Sequence, residues 1–393
     1  MSVNAMAFED AAAILTSLAQ QATGQAVQAV TDLSSYISVG QQTLRQGYDP
    51  LSIGISQMVS KTIFAYRSYS GALASLDRDS NEWGAIIRKV NAINMPVESE
   101  GSYALTDGAH SSDMFSVRKP KLWQSNFCGY DVWADHVSIT RKQLKNAVSN
   151  PGEMGRLMDL ILGTKSNEME MSRVAFRRAT LANLIAAVNA LNNTAQIRHL
   201  LTEYNAATGL SLTATTVMQP ANYGPFVRWA YAQIAKVSDL LEDPSKTYHL
   251  NPSAGTILRH TPKADQRLYV YSGALHDIDS QVLATTFNDD RVKLPKVTET
   301  VNFWQSPDKP MEINIKPAYI DATGAIVASP TAQNVKPIFA VLLDRDAVGV
   351  NFYDQSVEVS PYEVSGQYYN YWYHDGHRYY NDVTENAVVF LMD

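Results

Sequence analysis

A chain of 393 residues, 45% apolar and 18% charged, is long enough for two or three lobes around a substantial buried core. Its 39 acids against 32 lysines and arginines leave a net charge of −7, which argues against a protein whose main task is coating nucleic acid, though not against a local basic strip. The single cysteine, Cys128, excludes an intramolecular disulfide and a multi-thiolate zinc site, and reads as a small buried hydrophobe.

The N-terminus is acidic, with Glu9 and Asp10, and no run reaches the roughly 18 apolar residues of a membrane span. The expectation is a soluble protein made in the cytoplasm. Residues 5–65 read as helical: Ala11, Ile14, Leu15, Leu18 and Ala22 recur at helical spacing, and Ala29, Val30, Leu33 and Ile37 continue more loosely. This arm has little core of its own and is expected to pack on a neighbouring element or subunit.

Residues 82–145 alternate instead. Trp83, Ala85 and Ile87 share one parity, and Met114, Phe115, Val117, Leu122 and Trp123 reopen the pattern after a polar, glycine-containing stretch from Pro96 to Asp113. Two strands with such a tip read as an extended hairpin. Its shaft is basic (Arg88, Lys89, Arg118, Lys119 and Lys121) and its tip acidic (Glu98, Glu100, Asp107 and Asp113). An arm so charged does not bury itself on its own domain; it reaches for a partner.

Residues 151–192 form the longest helical stretch, with Val174, Leu181, Leu184, Ile185, Val188 and Leu191 on the 3.6 period. Fully helical, it would span about 60 Å and act as a spine. From 193 to 345 the texture is mixed, with a helix at Phe226–Leu241 and strands at Arg267–Tyr271, Met311–Tyr319 and Val335–Leu343. A further helix is expected over Ala274–Ala284. The end is aromatic: Tyr362, Tyr368, Tyr369, Tyr371, Trp372, Tyr373, Tyr379 and Tyr380. Asp375-Gly376 between aromatic runs predicts a tight hairpin turn.

Catalytic motifs are absent. Gly163-Thr164-Lys165-Ser166 lacks the spacing of a phosphate loop. His374, Asp375 and His377 form the one compact ligand-like cluster, but a turn explains them without a metal. Asp344 and Asp346 flank Arg345 and read as a salt-bridged turn rather than an acid–base pair. No cofactor and no catalytic residue is expected.

The order of parts, together with Ala340-Val341-Leu342-Leu343-Asp344-Arg345-Asp346-Ala347-Val348-Gly349-Val350, the tract Gly366–Tyr373 and Arg378-Tyr379-Tyr380-Asn381-Asp382, resembles tailed-bacteriophage major capsid proteins. The resemblance implies an α+β, Hong Kong 97-like fold. Its parts would be an N-terminal arm (1–81), an E-loop hairpin (82–145), a P-domain spine helix (146–192), a mixed α/β A-domain (193–345) and a P-domain C-terminal sheet (346–393). It implies a shell subunit, not an enzyme, assembling as hexamers and pentamers in the virion capsid within the bacterial cytoplasm. The implied partners are a separate scaffolding protein, a portal protein at one vertex and double-stranded DNA held without sequence specificity. Arg88, Lys89, Arg118, Lys119 and Lys121 become candidates for contacts with the next subunit, and Tyr368, Tyr371, Trp372, Tyr373 and Tyr379 for packing of the C-terminal sheet. Some relatives crosslink through a lysine of the hairpin tip, but Val97–Asp113 contains none, so a non-crosslinked shell is expected. The alternative is a virion glycan- or receptor-binding protein that uses the C-terminal aromatics.

Overall fold

A computed structural model of the chain describes residues 8–23, 30–45, 71–78, 87–95, 119–127, 130–149, 152, 154, 157, 165–273 and 297–393. The hairpin tip, Arg118, Cys128, Gly163-Thr164 and the helix expected over Ala274–Ala284 lie outside the described residues.

Three helices, α1 (Phe8–Thr23), α2 (Leu33–Arg45) and α3 (Arg141–Ser149), form one layer. Asp32 starts α2, its Oδ1 accepting from the Ser35 amide at 2.7 Å while Ser35 Oγ accepts from the Asp32 amide at 3.0 Å. The apolar stripe seen in the sequence is the buried one: Ala11, Leu15 and Leu18 of α1 meet Tyr36 and Val39 of α2. Rather than reaching outward, this layer covers the chain's own sheet, against Ile139, Val357, Tyr369, Tyr371 and Tyr373.

That sheet has three antiparallel strands: β3 (Tyr130–Thr140), β12 (Val348–Val359) and β13 (Tyr368–Asn381), in the order β12–β13–β3. The turn predicted at Asp375-Gly376 does not exist. β13 runs straight through it, with Gly376 opposite Tyr353 on one side and Val132 on the other. Tertiary contacts override the local signal. Asp375 is fully buried against Arg173, and a Cβ on Gly376 would sit 2.9 Å from the Tyr353 ring and carbonyl oxygen. The reversal falls at 360–367 instead, closed by Glu363 N donating to Tyr368 O at 3.0 Å, with Gln367 at φ 53°.

The spine is α4 (Lys165–Leu191), about 40 Å long at the α-helical rise. Its C-terminal half is buried on several sides, through Leu181, Leu184, Ile185 and Val188. It lies on one face of a second, five-stranded sheet ordered β4–β14–β11–β5–β6. The strands are β4 (Ile197–His199), β5 (Gln266–Tyr271), β6 (Glu299–Val301), β11 (Ile338–Asp344) and β14 (Ala387–Leu391). Alternation divides the residues: Tyr269, Val341 and Val389 face α4, whereas Leu268, Leu342 and Val388 face the opposite layer. That layer is α5 (Leu200–Thr208), α6 (Ala214–Val217) and α7 (Pro220–Leu240). The last strand of the chain thus sits in the middle of this sheet, between β4 and β11. Proline breaks two of the expected strands. Pro317 separates β7 (Ile313–Ile315) from β8 (Ala318–Ile320), which pairs with β9 (Ile326–Ala328), and Pro337 separates β10 (Gln333–Val335) from β11.

The hairpin root is β1 (Ile87–Ala92) and β2 (Leu122–Phe127), antiparallel from Ile87↔Phe127 to Ala92↔Leu122. Ile93, Trp123 and Phe127 pack with Ile257 and Ile320 of the middle lobe.

Candidate assembly surface

Strand alternation gives the hairpin root two faces with different chemistry. On the inner face, Asn91, Ile93, Trp123, Ser125 and Phe127 are buried against the chain itself. The outer face presents Arg88 across from Asn126, Val90 across from Gln124, and Ala92 across from Leu122. Val90 is 54% exposed and Leu122 65%, and Lys119 and Lys121 are exposed beside them. Apolar area ringed by cations, on an element already anchored from behind, is the chemistry of a contact surface.

Lys89 departs from the group in which the sequence placed it. Neighbours on a strand face opposite ways, so Lys89 turns inward where Arg88 turns out. Its ammonium lies 2.8 Å from Asp382 Oδ2 and against the Glu385 carboxylate. Arg259 closes the cluster, its Nη2 reaching Glu385 Oε1 at 3.0 Å and Asn91 Oδ1 at 2.9 Å, while its Nε donates to Thr384 O at 3.0 Å. Asp382 also accepts from Thr384 N at 2.9 Å and Thr384 Oγ1 at 2.6 Å. Burial works against the Lys89 cation, but Asp382 and Glu385 outweigh it and hold its pKa above the ordinary lysine value. Burial raises Glu385 above the usual carboxylate range against the pull of Lys89 and Arg259. Two cations and two anions thus bolt the arm to the loop between β13 and β14. Parity alone separates Lys89 from Arg88; nothing local to Asp382, Glu385 or Arg259 announces the rest.

The C-terminal rings divide in the same way. Tyr369, Tyr371 and Tyr373 are buried under the helical layer. Tyr368 and Trp372, on the other face, are half-buried, Trp372 stacking on His136 with ring centroids 4.4 Å apart. Tyr379 is 42% exposed and meets Phe176 edge-on at 5.5 Å. Rings distributed over both faces do not make a stacking platform.

His374, Asp375 and His377 do not converge. Asp375 Oδ2 accepts from Arg173 Nε at 2.8 Å under α4, and His377 lies between Trp133 and Phe176 at 3.9 and 4.4 Å. His374 points to the opposite face of the strand. Among the described residues no cluster of three or more His, Cys, Asp or Glu side chains is placed to hold a metal. A groove of about 370 Å³ beside α4 is walled by Met171, Val174, Phe303, Trp304 and Ile315, with Arg178 as the one charged group among the described residues that line it. Arg178 is occupied, donating to Phe303 O and lying 3.8 Å from that ring's centre. Among the described residues this groove holds no acid–base pair.

The family described as Phi29-like phage major capsid protein matches residues 12–391. The chain belongs to that family. Among solved structures it is similar to a chain in the structure of the head fiber and inner core protein gp22 of bacteriophage P68. The TM-score is 0.53 at 10% identity, over 82% of this chain and 85% of that one. The capsid structure of Staphylococcus phage Andhra gives 0.48 at 10% identity (83% and 86% covered) and that of Cyanophage P-SCSP1u 0.44 at 10% (82% and 88%). No curated protein matches. This major capsid protein has the α+β, Hong Kong 97-like capsid fold and a capsid-forming structural role in the virion, where it assembles as an oligomer. No helix among the described residues is long and apolar enough to cross a membrane.

Proposed function

We propose that the capsid protein builds hexamers and pentamers of an icosahedral head around double-stranded DNA, with the outer face of its hairpin root laid on the next subunit. The two-faced root carries this reading: the inner face is consumed by the chain itself, and the outer face offers Arg88, Val90, Leu122, Lys119 and Lys121. Arg118 belongs with these cations by sequence, and Lys89 serves as the bolt that aims the arm. The hairpin (82–145), spine (146–192), middle lobe (193–345) and returning sheet (346–393) act as units, with the last strand crossing back into the middle lobe. The role is structural, without catalysis.

A separate scaffolding protein, a portal at one vertex and non-specific DNA contact complete the assembly, which takes place in the bacterial cytoplasm. Support for a separate scaffold comes from α1 and α2, whose Leu15, Leu18 and Tyr36 are part of the subunit core and unsuited to removal. The triple change Arg88→Glu, Lys119→Glu and Lys121→Glu, expressed with scaffold, tests the contact. Each exposed ion pair contributes about 0.2–1 kcal/mol, so reversing three shifts assembly without unfolding the subunit. Unchanged shell yield in electron micrographs would remove the proposal.

A further inference from the structure

β3 is the outer strand of its sheet, and no described strand lies beyond it. The direction of its backbone groups follows from bonds on the far side of β13. Ser360 N donates to Asn370 O at 2.8 Å and Asn370 N to Ser360 Oγ at 3.0 Å. Even-numbered residues of β13 therefore turn their backbone groups toward β12, and odd-numbered ones toward β3. The register is unbroken from Tyr368↔Thr140 to Arg378↔Tyr130, so the odd residues of β3 are their partners. The amides of Val132, Ala134, His136, Ser138 and Thr140 then point outward, along a row that a further strand could join.

That row is interrupted at every fourth residue. Asp131 Oδ1 accepts from Val132 N at 2.8 Å, Asp135 Oδ1 from His136 N at 2.7 Å, and Gln143 Oε1 from Thr140 N at 2.9 Å. Asp131 and Asp135 share parity with Trp133, Val137 and Ile139, the side of the strand that turns to the core. Aspartate is poorly suited to a strand, and charged side chains on an edge strand are a recognised means of closing it; here both carboxylates are exposed and also occupy edge amides. Between the two caps Val132 is 44% exposed, in a sequence that otherwise favours β-pairing.

We propose that Asp131 and Asp135 close the open edge of β3 to strand addition by a second copy of this chain, so that copies cannot join through this edge. An added strand must bond alternate amides, and two of those it needs are already taken. The test uses purified full-length subunits, with light scattering and thioflavin T following association outside the shell. Asp131→Ala with Asp135→Ala is expected to accelerate thioflavin-positive association up to about a hundredfold, about tenfold for each of the two lost hydrogen bonds at about 1.4 kcal/mol apiece. Asp131→Asn with Asp135→Asn keeps both acceptor oxygens and is expected to behave like the parent. Unchanged association in the alanine variant overturns the proposal, as does an asparagine variant that associates as fast, which would make charge rather than amide capping the cause. Hydrogen exchange on the unaltered protein gives a measurement free of folding defects. The Val132 and His136 amides should exchange more slowly than those of Ala134 and Ser138, and equal rates would also overturn it.

Discussion

Arg88 and Lys89 are adjacent in the chain and similar in charge, yet the structure assigns them opposite fates. Removing Lys89 strips the cation from two carboxylates whose side chains are only 2% and 7% exposed, those of Asp382 and Glu385. Breaking a buried ion pair from one side costs about 3–5 kcal/mol, because the partner is left charged and desolvated. Lys89 is itself 23% exposed, and Arg259 still reaches Glu385 at 3.0 Å, so the low end applies: about 3 kcal/mol for Lys89→Ala. Arg88→Ala, on the exposed face, should change stability by less than about 0.5 kcal/mol. Thermal and urea unfolding of unassembled subunits measures both. Adding Asp382→Asn to Lys89→Ala discharges the carboxylate left without a cation while keeping the acceptor for Thr384, and should restore a large part of the loss. Equal stability of the Arg88 and Lys89 variants, or no recovery in the double variant, would refute a buried bolt at the root.

Other consequences are as direct. Gly376→Ala pushes a Cβ to within 2.9 Å of the Tyr353 ring and carbonyl, and should lower stability by about 1–3 kcal/mol in thermal melting. Arg173→Met leaves Asp375 fully buried without its ion partner and should cost about 3 kcal/mol; combining it with Asp375→Asn should return much of that, by the same melts. Burial pushes the Tyr269 hydroxyl up to about 12 from 10.0, against a hydrogen bond with Ser75. The unfolded chain releases that proton first, so stability should fall as pH rises from about 10 to 12, a fall that Tyr269→Phe should lessen in the same melts. A fall in stability between about pH 10 and 12 that is unchanged in Tyr269→Phe would contradict a buried Tyr269.

What could be read in advance was whatever depends on near neighbours in the chain. The stripe Ala11, Leu15, Leu18 and the spine residues Leu181, Leu184, Ile185 and Val188 announce their helices, because i, i+3 and i+4 positions share a face. The breaks at Pro317 and Pro337 were equally local, since proline has no amide to give a ladder, though the expected strands ran across both. Asp375-Gly376 misled for the opposite reason. The dipeptide that suits a tight turn also suits a strand in which aspartate meets an arginine 202 residues away and glycine makes room for a tyrosine. The hairpin was legible as an element, but grouping its cations by proximity overlooked alternation. Lys89 is aimed by partners at 259, 382 and 385, in segments that only the folded chain brings together. The same holds for β14, placed mid-sheet by Ile197 on one side and Val341 on the other.

Only Cys128 and Gly129 separate β2 from β3 in the chain. A load applied along the length of β3 acts on its seam with β13. It meets β13 as shear shared among eleven paired positions, from Tyr368↔Thr140 to Arg378↔Tyr130, rather than as peeling that opens one rung at a time. Rungs loaded together must fail together. Along its own length, the seam between β3 and β13 is therefore stronger than across it.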